Sequence, residues 1–301
     1  MKVGIVGVGP WGRILAATFE RNGHVVAAHD RRDKSKIVGD MGELVPWQDM
    51  IDSKRVDAIA CAAPPDTTKA VFDACQARRM PCLLTKPFLI SKPPKDLTAP
   101  TYVDYVHLAS PVYEKLKKSA TRDYEILRME VSFYGCGPDR SFSSLFDYGA
   151  HALAIVHDIL GLGPLEVSHA SSFRQLPSSK DEGGGGRQLI RAVLETKKNV
   201  KTDVFVGNGS PGSKRRVEVW LARGPRVAYE EDKRVATFEI DGKVVTRMPG
   251  HDPLSLMVDR FAWDIDVGRI NPYFVELSAA VTRSLEAIQD AARGQGGDGS
   301  P

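Results

Sequence analysis

Residues 2–6, Lys-Val-Gly-Ile-Val, run straight into Gly7-Val8-Gly9-Pro10-Trp11-Gly12, and a helical pattern follows over 13–21, with Ile14, Leu15, Thr18 and Phe19 on one side. A G-x-G-x-x-G loop is a weak signal alone, but here it sits after an apolar strand and before a helix, the context the motif requires. In that context each glycine has a separate task. Gly7 makes the tight turn, Gly9 lets the backbone approach a pyrophosphate, and Gly12 lets helix and strand pack closely. The unpaired N–H groups at the helix N-terminus then face the phosphates. An ordinary glycine-rich turn would not need all three conditions. Gly7, Gly9, Pro10, Trp11 and Gly12 are therefore the first candidate cofactor-binding residues.

The rest of the N-terminal part extends the strand–helix alternation. Strands are predicted at 24–30, at 56–65 (stopped by Pro64 and Pro65), at 80–87 and at 102–108, with a helix at 67–79. Such alternation gives parallel βαβ units with right-handed crossovers. From about residue 121 the pattern changes to period 2, first at 123–135. A helix is predicted at 145–160. Strands follow at 164–173, 187–196, 202–207, 215–223, 226–231, 236–241 and 243–248, with Asp241-Gly242 as a hairpin turn. The stretches 178–186 and 207–214 read as flexible connections. Helices at 253–267 and 273–293 close the pattern before a Gly-rich tail. The fold class expected is an α/β Rossmann domain over 1–120, followed by an α+β domain with a mostly antiparallel open sheet over 121–293. The last helix is expected to pack back toward the first domain, and 294–301 to form a flexible tail.

Composition bounds the partners. The 301 residues fit two domains at roughly 150 each, and 42% are hydrophobic, enough for two cores. A formal charge of +3 argues against a general nucleic-acid or acidic-membrane binder. No apolar stretch approaches the roughly 18 residues of a membrane span. The start has no signal-peptide pattern. The four cysteines show no C-x-x-C spacing, which suits free thiols in a reducing cytoplasm and no metal site.

Three further candidates carry chemistry. Asp30 ends the second strand, where a carboxylate accepts the ribose hydroxyls of an adenosine and disfavours a 2′-phosphate. Arg31 follows, and its guanidinium can stack on adenine or pair with a 2′-phosphate. NAD is preferred to NADP on that balance. Lys86 ends a predicted parallel strand, at the strand ends where open α/β sheets bind ligands. Pro64 ends the neighbouring strand and joins the cofactor candidates. Asp147 and His151 stand at i and i+4 on the predicted helix 145–160, sharing a face, with Ser143 or Ser144 as a cap. A histidine titrating near 6.5 beside a carboxylate can take a hydroxyl proton as hydride leaves the carbinol carbon.

Together these segments resemble the glucose–fructose oxidoreductase / inositol dehydrogenase family (Gfo/Idh/MocA). The resemblance is carried by GVGPWG at 7–12, ACAAPPDTTKAVFDACQARRMPCLLTKPF at 60–88, FDYGAH at 146–151, DPLSLMVDRFAWDIDVGR at 252–269 and VELSAAVTRSLEAIQD at 275–290. It implies that Lys86 corresponds to the family's Lys-Pro lysine, and Asp147 and His151 to its substrate-side Asp and His. It also puts His107 where the family has a substrate-side Arg or Asn. The implied reaction is hydride transfer between NAD(P) and a secondary alcohol or ketone of a sugar, sugar nucleotide or cyclitol. The implied assembly is a homodimer or homotetramer through the C-terminal sheet. The chain departs from the family pattern in four places. Thr85 replaces Glu, a proline-rich stretch at 89–100 replaces a helix, residues 141–144 replace three glycines, and Ala154 replaces an Asp; Asp158 shares that helix face one turn deeper and reads first as a solvated or salt-bridged residue. Two other readings stay open: a non-catalytic dinucleotide sensor of corepressor type, and a reductase of an imine, a linear tetrapyrrole or a dihydrodiol.

Overall fold

The computed structural model describes residues 1–30, 43–136, 143–175, 187–232 and 234–294. Arg31, Arg140 and the stretch 178–186 lie outside the described residues. Two compact units emerge, Met1–Val106 with Pro253–Ala279, and His107–Asp252 with Ala280–Pro301.

The chain opens with β1 (Lys2–Val6), α1 (Pro10–Arg21), β2 (Val25–Asp30), β3 (Glu43–Leu44), α2 (Trp47–Asp52), β4 (Ala58–Cys61), α3 (Pro65–Arg78), β5 (Cys82–Leu84) and β6 (Thr101–Val103). These strands form one sheet in the order β3-β2-β1-β4-β5-β6, and every pairing is parallel. This is the doubly wound order, in which the chain reverses direction across the sheet beside β1. Every residue of β4 and β5 is buried, as expected of strands covered on both faces. Residues 85–100 connect β5 to β6 without a helix, as the proline-rich sequence there implies.

Next come α4 (Pro111–Thr121), β7 (Ile126–Cys136), α5 (Ala150–Leu160), β8 (Glu166–Gln175), β9 (Arg187–Glu195), β10 (Lys201–Gly207), β11 (Gly209–Leu221), β12 (Arg226–Asp232), β13 (Val235–Ile240) and β14 (Lys243–Pro249). The strands make an eight-stranded sheet in the order β14-β13-β12-β11-β7-β10-β9-β8. It is mixed: β7 and β10 are parallel, and the other pairings are antiparallel. In this second unit α4 packs on β12, β13 and β14, and α5 on β7 and β10. Met129, Val131 and Phe133 of β7 are buried, while the alternate residue Arg128 is exposed. Two helices, α6 (Pro253–Asp266) and α7 (Tyr273–Gly294), complete the chain.

Besides the short β3 and α2, which the sequence reading does not include, four details differ from it. The strand expected at 102–108 stops at Val103, and a 3₁₀ turn forms at Val106–Ala109. The helix α4 was not foreseen, and it belongs with the second unit although the sequence put that boundary at 120. The helix expected at 145–160 opens with a π-helical turn over Leu145–Gly149, and α geometry begins only at Ala150. Gly149 ends this turn in a tight place, where a Cβ would lie 3.0 Å from Leu145 Cδ1 and 3.2 Å from Leu285 Cδ2. Finally, 209–214 extends β11 rather than forming a loose connection, with the register against β7 shifting between Gly209 and Lys214. The Asp241-Gly242 turn has positive φ at both residues, 49° and 78°, the requirement of a two-residue I′ hairpin. No helix among the described residues is long and apolar enough to cross a membrane.

Candidate functional site

In the first unit the sequence candidates gather at one edge of the parallel sheet, because each follows the carboxyl end of a strand. Gly7 follows β1, Asp30 ends β2, Pro64 follows β4 and Lys86 follows β5. The glycine loop meets its three requirements separately. Gly7 has φ +83°, and a Cβ there would sit 2.6 Å from the Ala62 carbonyl oxygen. A Cβ on Gly12 would lie 2.0 Å from the Gly7 oxygen, so only glycine lets α1 approach its own loop. A Cβ on Gly9 would meet nothing within 4 Å. The glycine at 9 therefore answers no contact within the chain, as expected where a ligand comes close to the backbone. Pro10 opens α1 at a position where its missing N–H is not needed, and Gly9 supplies no side-chain cap. The first-turn N–H groups of Trp11 and Gly12 are left for an outside acceptor. On these observations the loop fits a dinucleotide pyrophosphate.

Asp104, not singled out in the sequence, ties this edge together. It is fully buried just past β6. Its Oδ1 accepts the backbone N–H of Lys86 at 2.6 Å, and its Oδ2 accepts the indole N–H of Trp11 at 2.7 Å. One carboxylate thus braces the loops after β1 and β5. The indole of Trp11 is turned to this partner within its own unit. Lys86, half-buried, precedes a cis proline, Pro87.

In the second unit the structure brings His107 and His151 together. Their ring centroids are 5.0 Å apart, edge to face at 83°. Phe133 lies 4.9 Å from His107 and 6.5 Å from His151. Asp147 is buried within the π turn, and His151 is half-buried one residue into α5. Asp147 thus lies in the π turn and His151 in the α-helical part that follows it. Ser143 partly fulfils its expected cap role, accepting the Leu145 N–H at 3.3 Å. The same serine donates to Gln188 Oε1 at 3.1 Å, and Ser144 donates to the Gln188 carbonyl at 3.3 Å. Asn208 completes that brace by accepting the Gln188 N–H at 3.0 Å. Asp158 is held by α4, accepting Tyr113 OH at 2.6 Å and Lys117 Nζ at 2.8 Å.

Behind His107 stands a carboxylate that the sequence reading passed over. Glu231 Oε2 is 3.0 Å from His107 Nδ1 and accepts Tyr229 OH at 2.9 Å. His251 Nε2 is 4.0 Å from the same oxygen. Burial opposes ionisation of Glu231, but the hydrogen bond and charge of His107, the hydrogen bond from Tyr229 and the charge of Arg215 outweigh it and hold the pKa down at about 2. Burial lowers His251, while burial and then the Glu231 charge push Tyr229 well up. A signal for Glu231 did exist. Alternation on β12 puts it on the face of Val227 and Tyr229, both fully buried, and a carboxylate there must find partners.

No protein-family model matches the sequence, and no curated protein does. Solved structures match nearly end to end. A protein of Magnetospirillum magnetotacticum MS-1 assigned as an oxidoreductase aligns at TM-score 0.75 and 22% identity, covering 95% of this chain and 99% of its own. The 3-ketoreductase KijD10 of Actinomadura kijaniata, solved with NADP and TDP-benzene, aligns at 0.75 and 17% over 97% of both chains. The UDP-N-acetylglucosamine 3-dehydrogenase GnnA of Acidithiobacillus ferrooxidans aligns at 0.77 and 13% over 98% of both. At these identities the likeness speaks for the fold alone: the chain shares the two-domain architecture of these solved oxidoreductases.

Proposed function

We propose that the chain is an NAD(P)-dependent oxidoreductase acting on a secondary alcohol, or its ketone, of a sugar, sugar nucleotide or cyclitol. The observation that carries this reading is the glycine loop. It closes β1 of a 3-2-1-4-5-6 parallel sheet, leaves the α1 N-terminus uncapped and keeps the Gly9 position open. KijD10, a ketoreductase solved with NADP, and GnnA, a sugar-nucleotide dehydrogenase, support the same reading through their shared fold. The family resemblance of the Lys-Pro and FDYGAH segments adds to it.

When bound, the nicotinamide supplies the acceptor or donor of hydride. The chain's residues do the rest. The N–H groups of Trp11 and Gly12 would hold the pyrophosphate and Asp30 the adenosine ribose, with Arg31 and Pro64 as further cofactor candidates. Lys86 stabilises charge developing on the substrate oxygen. An imidazole nitrogen of His151 takes the hydroxyl proton in oxidation and returns it in reduction, while Asp147 and His107 orient the substrate. The second sheet is assigned to assembly of a dimer or tetramer. Its face opposite α4 and α5 carries half-buried Trp220 and Phe205 under the guanidinium groups of Arg128 and Arg191, at 5.1 and 5.4 Å.

The test is binding followed by turnover. Titration with NADH and NADPH is expected to enhance nicotinamide fluorescence, and a sugar-nucleotide and polyol panel to yield turnover. Lys86→Ala and His151→Ala are each expected to lower kcat about a hundredfold, the ordinary worth of a lost acid–base group. Tight cofactor binding with no turnover across the panel would favour the sensor reading instead.

A further inference from the structure

Glu231 is too deeply placed and too well connected for a surface acid. Its side chain is 10% exposed and that of His107 is 7% exposed. Three groups converge on one carboxylate oxygen: His107 Nδ1 at 3.0 Å, Tyr229 OH at 2.9 Å and His251 Nε2 at 4.0 Å. The other oxygen is 3.5 Å from Arg215. These groups come from distant parts of the chain: the turn before α4, strands β11 and β12, and the segment after β14. Tyr229 itself packs its ring 6.0 Å from Tyr113 of α4, so the carboxylate is fixed from several sides. No group of His, Cys, Asp and Glu among the described residues is arranged to hold a metal. The cluster therefore has to be understood through its hydrogen bonds.

The decisive constraint is the tautomer. An ionised carboxylate has only acceptors. The 3.0 Å contact is a hydrogen bond only if His107 carries a proton on Nδ1. That proton anchors one edge of the ring and turns Nε2 away from the carboxylate. The ring so anchored meets the imidazole of His151 edge to face at 5.0 Å, with Phe133 packed beside both.

We infer that Glu231 is a positioning residue of the acid–base centre: by holding the Nδ1–H tautomer of His107 it fixes the ring against which His151 works. This rests on the reading of His151 as the acid–base group. It also gives the buried carboxylate a purpose that core stability alone does not require. A hydrophobic side chain of similar volume would fill the same place without the cost of desolvating a charge.

Three variants test it. Glu231→Gln keeps an acceptor oxygen and is expected to hold both the tautomer and kcat within about threefold of wild type. Glu231→Leu removes every acceptor and is expected to lower kcat about tenfold or more, a fraction of the full acid–base contribution, with the KM for the cofactor unchanged. In a His107→Phe background, Glu231→Leu is expected to add nothing further, as for residues that act in series. Nitrogen NMR of histidine-labelled protein reads the tautomer directly. His107 should be protonated at Nδ1 in wild type and in Glu231→Gln, and should shift toward the Nε2–H form in Glu231→Leu. The inference is overturned if Glu231→Leu turns over at the wild-type rate, or if His107 in wild type is protonated only at Nε2. Should Glu231→Leu fail to fold, the Gln variant and the wild-type spectrum still decide, because a tenfold loss in Glu231→Gln with its tautomer intact contradicts the proposal. A wild-type protein inert across the substrate panel would instead overturn the underlying functional reading.

Discussion

At the scale of single residues, two glycines of one loop should respond oppositely to the same substitution. Gly12→Ala drives a Cβ to 2.0 Å from the Gly7 backbone oxygen. Backbone cannot move aside cheaply, so a loss of about 1–3 kcal/mol or more is expected, visible as a lower Tm. Gly9→Ala meets nothing within 4 Å, so its Tm should stay at the wild-type value. The added methyl would instead stand where the cofactor approaches, and Kd for NADH should rise at least about tenfold, or about 1.4 kcal/mol. Calorimetry and fluorescence titration on the two variants separate these outcomes; equal binding by Gly9→Ala would remove the pyrophosphate from this loop. The glycines were legible in the sequence because their constraint is local, a turn and a close approach within a few residues. Asp104 and Glu231 were not, because their partners lie 93 and 124 positions away, at Trp11 and His107. No spacing rule reaches that far. Only a charge at a position that alternation or an apolar run assigns to the core hints at such residues.

At the scale of elements, α4 shows both what the sequence held and what was missed. Ser110 accepts the Tyr113 N–H at 3.2 Å as N-cap, and Pro111 follows at the first helical position. Val112, Tyr113, Leu116 and Ala120 form its buried stripe. These are ordinary start signals and helical periodicity. They were hidden because the apolar run at 102–108 reads as a strand continuing past Val103, where the buried Asp104 in fact ends it. The cap also matters to packing. Tyr113 and Lys117 both hold Asp158 of α5, so fraying the first turn of α4 loosens its tie to α5. Ser110→Ala is expected to cost about 1 kcal/mol, a fall in Tm of roughly 2–4 °C for a unit of this size. A variant melting at the wild-type temperature would show that the cap contributes nothing. The π turn at Leu145–Gly149 was beyond sequence reading for a different reason. A widened turn carries almost the same residue pattern as an α turn.

At the scale of the whole chain, the buried ionisable groups give stability a direction with pH. His157 is buried, with Nε2 2.9 Å from Ser284 Oγ and Nδ1 3.1 Å from the Gly161 carbonyl. Burial lowers its pKa below 6.5, and burial does the same for His251. A histidine depressed in the folded state takes its proton more readily once unfolded. Each therefore favours unfolding as pH falls below about 6.5. The depressed carboxylates act in the same sense at lower pH. Glu231, at about 2 against an ordinary 4.5, contributes stability that is complete above 4.5 and lost as pH falls toward 2. Glu239, lowered first by its hydrogen bond to Arg216 and then opposed by burial, adds to that acid arm. In both windows the unfolded chain binds more protons, so stability rises with pH. Thermal melts should give a nearly level Tm above about pH 7, a decline beginning near 6.5 from the histidines, and a steeper decline below about 4.5 from the carboxylates. His157→Gln should flatten the first decline, and Glu231→Gln should flatten the second while leaving the first in place. A wild-type Tm that is the same at pH 5 as at pH 7.5 would mean that the buried histidines are solvated well enough to titrate alike in the folded and unfolded chain.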